Sequence, residues 1–234
     1  PTLNMRSENS RYNVNLAGDL CWLVCYVLAS NVGKICDNLP DDVLPKNIQT
    51  VTLNLLKDED VEVRAVAAVH IAVITKKMAP ETIIADVLPV GGKLSTDANS
   101  HVRTSFAGAV THLAPQIGKT TSRKYLFDIV ERCLNDPETD VQLKIITTLD
   151  SLKAVMVLSH FSQKVLETVL RLAHDRSWRC RLQTIELIPE LLDFQDELVK
   201  VSTSMLVDPI FAIRIKAIEN NKKLIAVCGV DRVK

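Results

Sequence analysis

The side chains able to do chemistry are few and scattered. The five histidines are His70, His101, His112, His160 and His174. None is followed by Glu, and none belongs to the H-E-x-x-H pattern that sets two imidazoles on one helix face around zinc. The six cysteines, Cys21, Cys25, Cys36, Cys133, Cys180 and Cys228, contain no C-x-x-C pair. Cys21 and Cys25 are four apart, but no His or second Cys pair stands near them in sequence to complete a metal shell. The cysteines read instead as small buried hydrophobes in a reducing compartment. No nucleophile elbow, phosphate loop or dinucleotide fingerprint occurs, and Gly91-Gly92 stands alone, marking an interrupted helix. Carboxylates gather in short polar stretches such as Asp58-Glu59-Asp60, where helix capping accounts for them. The expectation is a protein that is not an enzyme, with no catalytic residue, no metal and no cofactor.

The elements that carry these residues are helices. Hydrophobic residues make up 47% of the 234, yet aromatics only 4% and there are 7 glycines, so the core is built from Leu, Ile, Val and Ala with few hairpin turns. Basic and acidic residues balance at 28 each. A duplex-binding protein usually carries a basic excess to neutralise phosphate, so nucleic acid is not the expected partner. The start, PTLNMRSENS, has no charged-then-apolar signal pattern. The longest apolar run, LCWLVCYVLAS, is shorter than the roughly 20 residues that cross a bilayer. The chain is expected to be soluble and intracellular, cytoplasmic and also open to the nucleus, with no membrane and no small-molecule substrate.

An internal repeat organises the whole chain. Asp58, Asp97, Asp136, Asp175 and Asp208 recur at intervals of 39, 39, 39 and 33 residues, and one further step back reaches Asp19. Six residues after these anchors stand Cys25, Arg64, Arg103, Gln142, Arg181 and Arg214, each preceded by an apolar residue. Every unit reads as an apolar-periodic helix A, a short polar turn at the Asp, and an apolar-periodic helix B. Helix A is expected at roughly 41–56, 81–95, 121–135, 160–173 and 195–206. Helix B is expected at roughly 21–37, 60–77, 99–116, 138–155, 177–192 and 210–227. Pro137 and Pro209 directly follow their Asp, so the Asp is expected to cap helix B with Pro at the first helical position. Pro115 and Pro189 are expected to end or kink their helices. Residues 1–15 lack a helical stripe and are expected to be poorly ordered or divergent, leaving 16–234 as a single array.

One such hairpin cannot bury its apolar face alone, whereas stacked neighbours build a continuous core. The recurring Arg is expected to reach the Asp of the next unit, forming a ladder of Asp58, Arg64, Asp97, Arg103, Asp136, Asp175, Arg181, Asp208 and Arg214. The A–B turns share one edge and form the natural docking surface. Trp22, Trp178 and Phe211 each stand three residues after an anchor, either as interface anchors or as packing over the neighbouring hairpin.

The segments DANSHVR, HLAPQIGK, LAHDRSWRCRLQTIELIPELL and LVDPIFAIR closely resemble the scaffold (A) subunit of protein phosphatase 2A, a HEAT-repeat family, from about Leu16 onward. The resemblance implies an all-α fold, an α-solenoid of about six HEAT repeats whose antiparallel helix pairs stack in a right-handed superhelix. That family holds a variable regulatory subunit on its N-terminal repeats and a catalytic subunit on its C-terminal repeats, both through the A–B turns. The six units match its middle-to-late repeats, making this a fragment of a longer array. Residue by residue, the family's Trp-Arg pair matches Trp178 and Arg179, and its next turn aromatic, usually Tyr, matches Phe211. The implied partners are a Ser/Thr phosphatase catalytic subunit together with a variable regulatory subunit. Leu23 and Cys25 stand where the family has Arg, Gln142 replaces another Arg, and residues 4–15 diverge. Another HEAT-repeat adaptor, for transport or assembly, is the alternative.

Overall fold

The computed structural model describes residues 22–38, 46–148, 159–188 and 195–228, and among them every regular element is helical. The chain divides into two compact units, residues 1–133 with 148–157 and residues 134–147 with 158–234.

The first unit carries α1 (Trp22–Asp37), α2 (Lys46–Leu55), α3 (Val61–Thr75), α4 (Pro80–Thr82), a π-helical turn (Ile83–Val87), α5 (Leu88–Leu94), α6 (Ser100–Val110), a 3-10 turn (Thr111–Leu113), α7 (Ala114–Ile117), α8 (Lys119–Tyr125) and α9 (Phe127–Leu134). The B helices α1 and α3 pack side by side, as do α3 and α6. Small residues let them approach: Ala29, Gly33, Ala67, Ala68 and Ala107 are all buried. A Cβ on Gly33 would lie 2.7 Å from the His70 ring, so glycine is what this α1–α3 contact admits. Leu55, Ile71, Ile74, Phe106 and Leu113 fill the remaining core, each contributing about 1.5–3 kcal/mol by leaving water.

Proline explains both irregular helices. Pro89 has no N–H for the carbonyl four residues back, and the ladder widens just before it, with Leu88 N–H bonding Ile83 O in a π turn. The expected interruption of this helix therefore arises at Pro89, while Gly91 and Gly92 lie inside α5. Gly91 serves packing instead, since a Cβ there would meet the Phe106 ring at 2.8 Å. Pro115 has the expected effect: the preceding turn tightens to 3-10, and Ala114 N–H bonds Thr111 O. Gly118, at φ 77° and ψ 167°, then takes the positive-φ extended conformation, open chiefly to glycine, that joins α7 to α8.

The second unit carries α10 (Thr139–Thr147), α11 (Ser159–Leu172), α12 (Trp178–Leu187), α13 (Gln195–Ser204) running into a 3-10 turn (Met205–Val207), and α14 (Phe211–Cys228). Here α12 packs on α14, and α13 pairs with α14 as its own hairpin. Pro189 lies outside the described residues. The buried Asn220 side-chain amide on α14 donates to the Ile185 carbonyl of α12. Residues 1–15 also lie outside the described residues.

Candidate docking ridge at the A–B turns

Each described A–B turn is built around its anchor Asp. The carboxylate accepts the backbone N–H two residues on: Asp60 to Asp58 at 2.9 Å, Asn99 to Asp97 at 2.9 Å, Glu138 to Asp136 at 2.9 Å, Ser177 to Asp175 at 2.7 Å and Ile210 to Asp208 at 2.8 Å. This corrects the expectation that the anchor caps helix B. A side chain that bonds two residues on closes an Asx turn ahead of the helix, and at α3 and α6 capping falls to the residue two after the anchor, whereas the Ser177 side chain ahead of α12 makes no cap bond. Asp60 caps α3 by accepting from Glu62 N and Val63 N, and Asn99 caps α6 by accepting from His101 N. Pro137 and Pro209 sit inside these turns, each two residues before the first helical position.

The Arg six residues on clamps its own turn. Its Nη1 donates to the anchor's carbonyl oxygen at 2.7–2.8 Å from Arg64, Arg103, Arg181 and Arg214. In two steps the outer edge of the same guanidinium also grips the next anchor. Arg64 donates from Nε and Nη2 to Asp97 at 2.9 and 3.2 Å, and Arg181 does so to Asp208 at 2.7 and 3.2 Å. Both pairs are largely shielded from solvent, and the fork geometry makes each contact bidentate. The Arg181 bond holds the Asp208 carboxyl below the usual carboxylate range, against the opposing effect of burial. At Asp97 burial pushes upward, but the bond from Arg64, the Asn99 N–H and the Arg64 and Arg103 charges together hold it low.

Where the repeat lacks Arg, the wiring changes. Gln142 still donates to Asp136 O, and its side-chain oxygen accepts from Arg171 Nη2 at 2.8 Å. The cation has moved from helix B to helix A, a substitution that the repeat pattern does not signal. Cys25, at the same position in α1, is buried.

The aromatics that spacing set in the turns are the first residues of α1, α12 and α14, and they lie in the open. Trp22 is 54% exposed, Trp178 41% and Phe211 67%, beside Val207 at 84%. The Arg179 guanidinium lies 4.9 Å over the Trp178 ring and that of Arg214 5.6 Å over Phe211, which favours flat, ordered aromatic surfaces. Val207, Ile215 and Ile218 are exposed apolar residues that spacing alone did not single out. Val207 could have been found, since it directly precedes an anchor in a turn.

Among the described residues no group of three or more His, Cys, Asp and Glu could hold a metal ion. A small cavity between α2, α3 and the π turn is lined mainly by Leu53, Leu56, Ile71, Ile74 and Val87, with no ionisable group. Cys25, Cys36, Cys133 and Cys180 are buried and in no disulfide, and burial pushes the Cys36 and Cys180 thiols up to about 11. No described helix is long and apolar enough to cross a membrane.

The chain is similar over 94% of its length to the archaeal HEAT-like repeats protein from Thermococcus onnurineus NA1, with a TM-score of 0.59 at 13% identity and 88% of that chain covered. A designed armadillo repeat protein, YIII(Dq)4CqI, matches over 91% of this chain and 98% of its own, with a TM-score of 0.54 at 16% identity. The fold is an α-solenoid of HEAT/armadillo type. At these identities the likeness is one of fold. In sequence, residues 41–118 of the solenoid match a family model described as PPP2R1A-like HEAT repeat. The beta isoform of the human 65 kDa regulatory (A) subunit of serine/threonine-protein phosphatase 2A is 35% identical over 106 residues, which is 44% of this chain and 18% of that protein. The solenoid thus matches under one fifth of the length of that relative.

Proposed function

We propose that the solenoid is a non-catalytic scaffold that docks a Ser/Thr phosphatase catalytic chain, together with a variable regulatory chain, through its A–B turns. The observation that carries this reading is the pair of exposed aromatics that open successive B helices at the A–B turns, Trp178 and Phe211, each with an arginine over its ring. An exposed Trp-Arg pair is the composition of an interface hot spot, with the ring as anchor and the guanidinium as hydrogen-bond donor. The 35% match to a phosphatase regulatory subunit supports the choice of partner. On this reading 16–234 is one continuous piece of a longer array, working in the cytoplasm and nucleus.

The test is co-purification with a phosphatase 2A catalytic subunit. The wild-type chain retains it, and Trp178→Ala, which leaves the Asp208–Arg181 pair intact, loses most of it. If the catalytic subunit is not retained even when flanking repeats are supplied, the reading is wrong. A different HEAT-type adaptor would then be favoured.

A further inference from the structure

One ladder step in the second unit matches its arginine to a neutral group. In the steps that close, the fork meets a carboxylate, Arg64 at Asp97 and Arg181 at Asp208. At Gln142 the side-chain oxygen accepts from Arg171 Nη2 at 2.8 Å instead. An amide is uncharged, so it orients the Arg171 guanidinium without neutralising it. Asp175, four residues on, does not make up the difference. Its carboxylate holds the Ser177 N–H at 2.7 Å and enters no ion pair among the described residues.

Arg171 has company. Arg176 and Arg179 follow at the same A–B turn, both exposed, and neither pairs with a carboxylate among the described residues. The Arg179 guanidinium rests 4.9 Å over the Trp178 ring, a contact that leaves its charge in place. Between Arg171 and Arg181 the chain carries four arginines and one carboxylate, and Arg181 is already spent on Asp208. The turn ahead of α10 exposes Glu138 and Asp140, but neither forms an ion pair with these arginines. That acidic turn therefore bounds the basic patch and does not cancel it.

Apolar surface adjoins the patch. Trp178 opens α12, Phe211 opens α14, these two helices pack on each other, and Val207 is exposed in the turn before α14. Packed helices run about 8–10 Å apart, a span of about three extended residues. We propose that the Arg171, Arg176 and Arg179 cluster takes a short acidic segment of the docked protein, its carboxylates on the guanidiniums and an apolar side chain between Trp178 and Phe211. Guanidinium forks match carboxylates in geometry as well as charge. A nucleic-acid backbone would need a longer basic track than three arginines next to an acidic turn, and it has no use for Val207. That the segment belongs to a phosphatase chain rests on the docking reading above, whereas its acidic chemistry rests on the arginines.

Fluorescence anisotropy of the full chain with a short labelled peptide of glutamate and leucine tests the patch, beside a lysine–leucine control peptide. The wild type is expected to bind the acidic peptide and not the basic one, and to lose about tenfold or more in affinity between about 50 and 300 mM salt. Arg171→Glu and Arg176→Glu each weaken binding by about tenfold or more. Arg171→Lys keeps most of it, and Lys124→Glu on α8, an equal change of net charge, leaves it unaltered. Far-UV circular dichroism checks the fold of each variant, and Arg176→Gln removes the charge without reversing it. Equal binding of the two peptides would overturn the proposal. So would an affinity that the arginine variants leave unchanged, or a short DNA duplex that displaces the peptide as readily as unlabelled peptide does. Titrating a phosphatase 2A catalytic subunit into the same variants separates the two levels. Binding of that subunit that ignores salt and both reversals sinks the acidic segment and leaves the docking reading standing. No binding of it, with the acidic peptide bound as expected, sinks the docking reading alone.

Discussion

At the scale of single residues, the Asp–Arg pairs couple one turn to the next and make stability depend on acid. Removing the Arg181 side chain deletes a bidentate bond to a shielded carboxylate and two clamps on its own turn. Arg181→Ala is expected to lower stability by about 2 kcal/mol or more, measured by denaturant unfolding. The carboxyls of Asp97 and Asp208 are held below their ordinary value in the folded chain. Their contribution is therefore complete above an unfolded pKa of about 4 and is lost as pH falls through the lower folded values. Melting temperature should fall steeply below about pH 4, and Asp208→Asn should flatten part of that slope. A wild-type acid slope that Asp208→Asn leaves unchanged would contradict the role given to this pair. Cys36 and Cys180, with thiols near 11 and little solvent contact, should react with a thiol reagent at pH 8 only as the chain opens.

At the scale of elements, the helices were legible because apolar periodicity and the 39-residue spacing agree. The expected boundaries fall within a few residues for α3 and α14, as does the expected start of α12. What the pattern missed was backbone hydrogen-bond accounting. The Asx turn is invisible to a rule that pairs Asp with the nearest helix start, and the π turn follows from the N–H missing at Pro89. Gly91 and Gly92 look alike in sequence but differ in surroundings. Gly91→Ala meets Phe106 and is expected to cost about 1–3 kcal/mol. Gly92→Ala meets nothing within 4 Å and is expected to stabilise by up to about 1 kcal/mol. Equal melting temperatures for the two variants would refute the packing role of Gly91. Asn220→Ala strands the carbonyl of Ile185 and is expected to cost about 1–3 kcal/mol in the same assay.

At the scale of the whole molecule, the candidate site was only partly legible. Spacing placed Trp178, Arg179 and Phe211 in turns, but it could not decide whether the rings fold inward or face solvent. Their exposure, with an arginine over Trp178 and another over Phe211, is information that only coordinates supply. Ile215 and Ile218 escaped notice for the opposite reason, since their spacing is that of ordinary core residues and only the absence of a covering helix among the described residues distinguishes them. The cation at Arg171 was hidden because a ladder read along helix B does not look to helix A. The central claim is that this solenoid works by presenting turn aromatics to a phosphatase chain. Calorimetric titration of a phosphatase 2A catalytic subunit into the wild type, Trp178→Ala and Phe211→Ala tests it most directly. The account predicts that each truncation weakens binding by about 2 kcal/mol or more while leaving the melting temperature nearly unchanged. Equal affinity across the three proteins, or no binding by any of them, would contradict it.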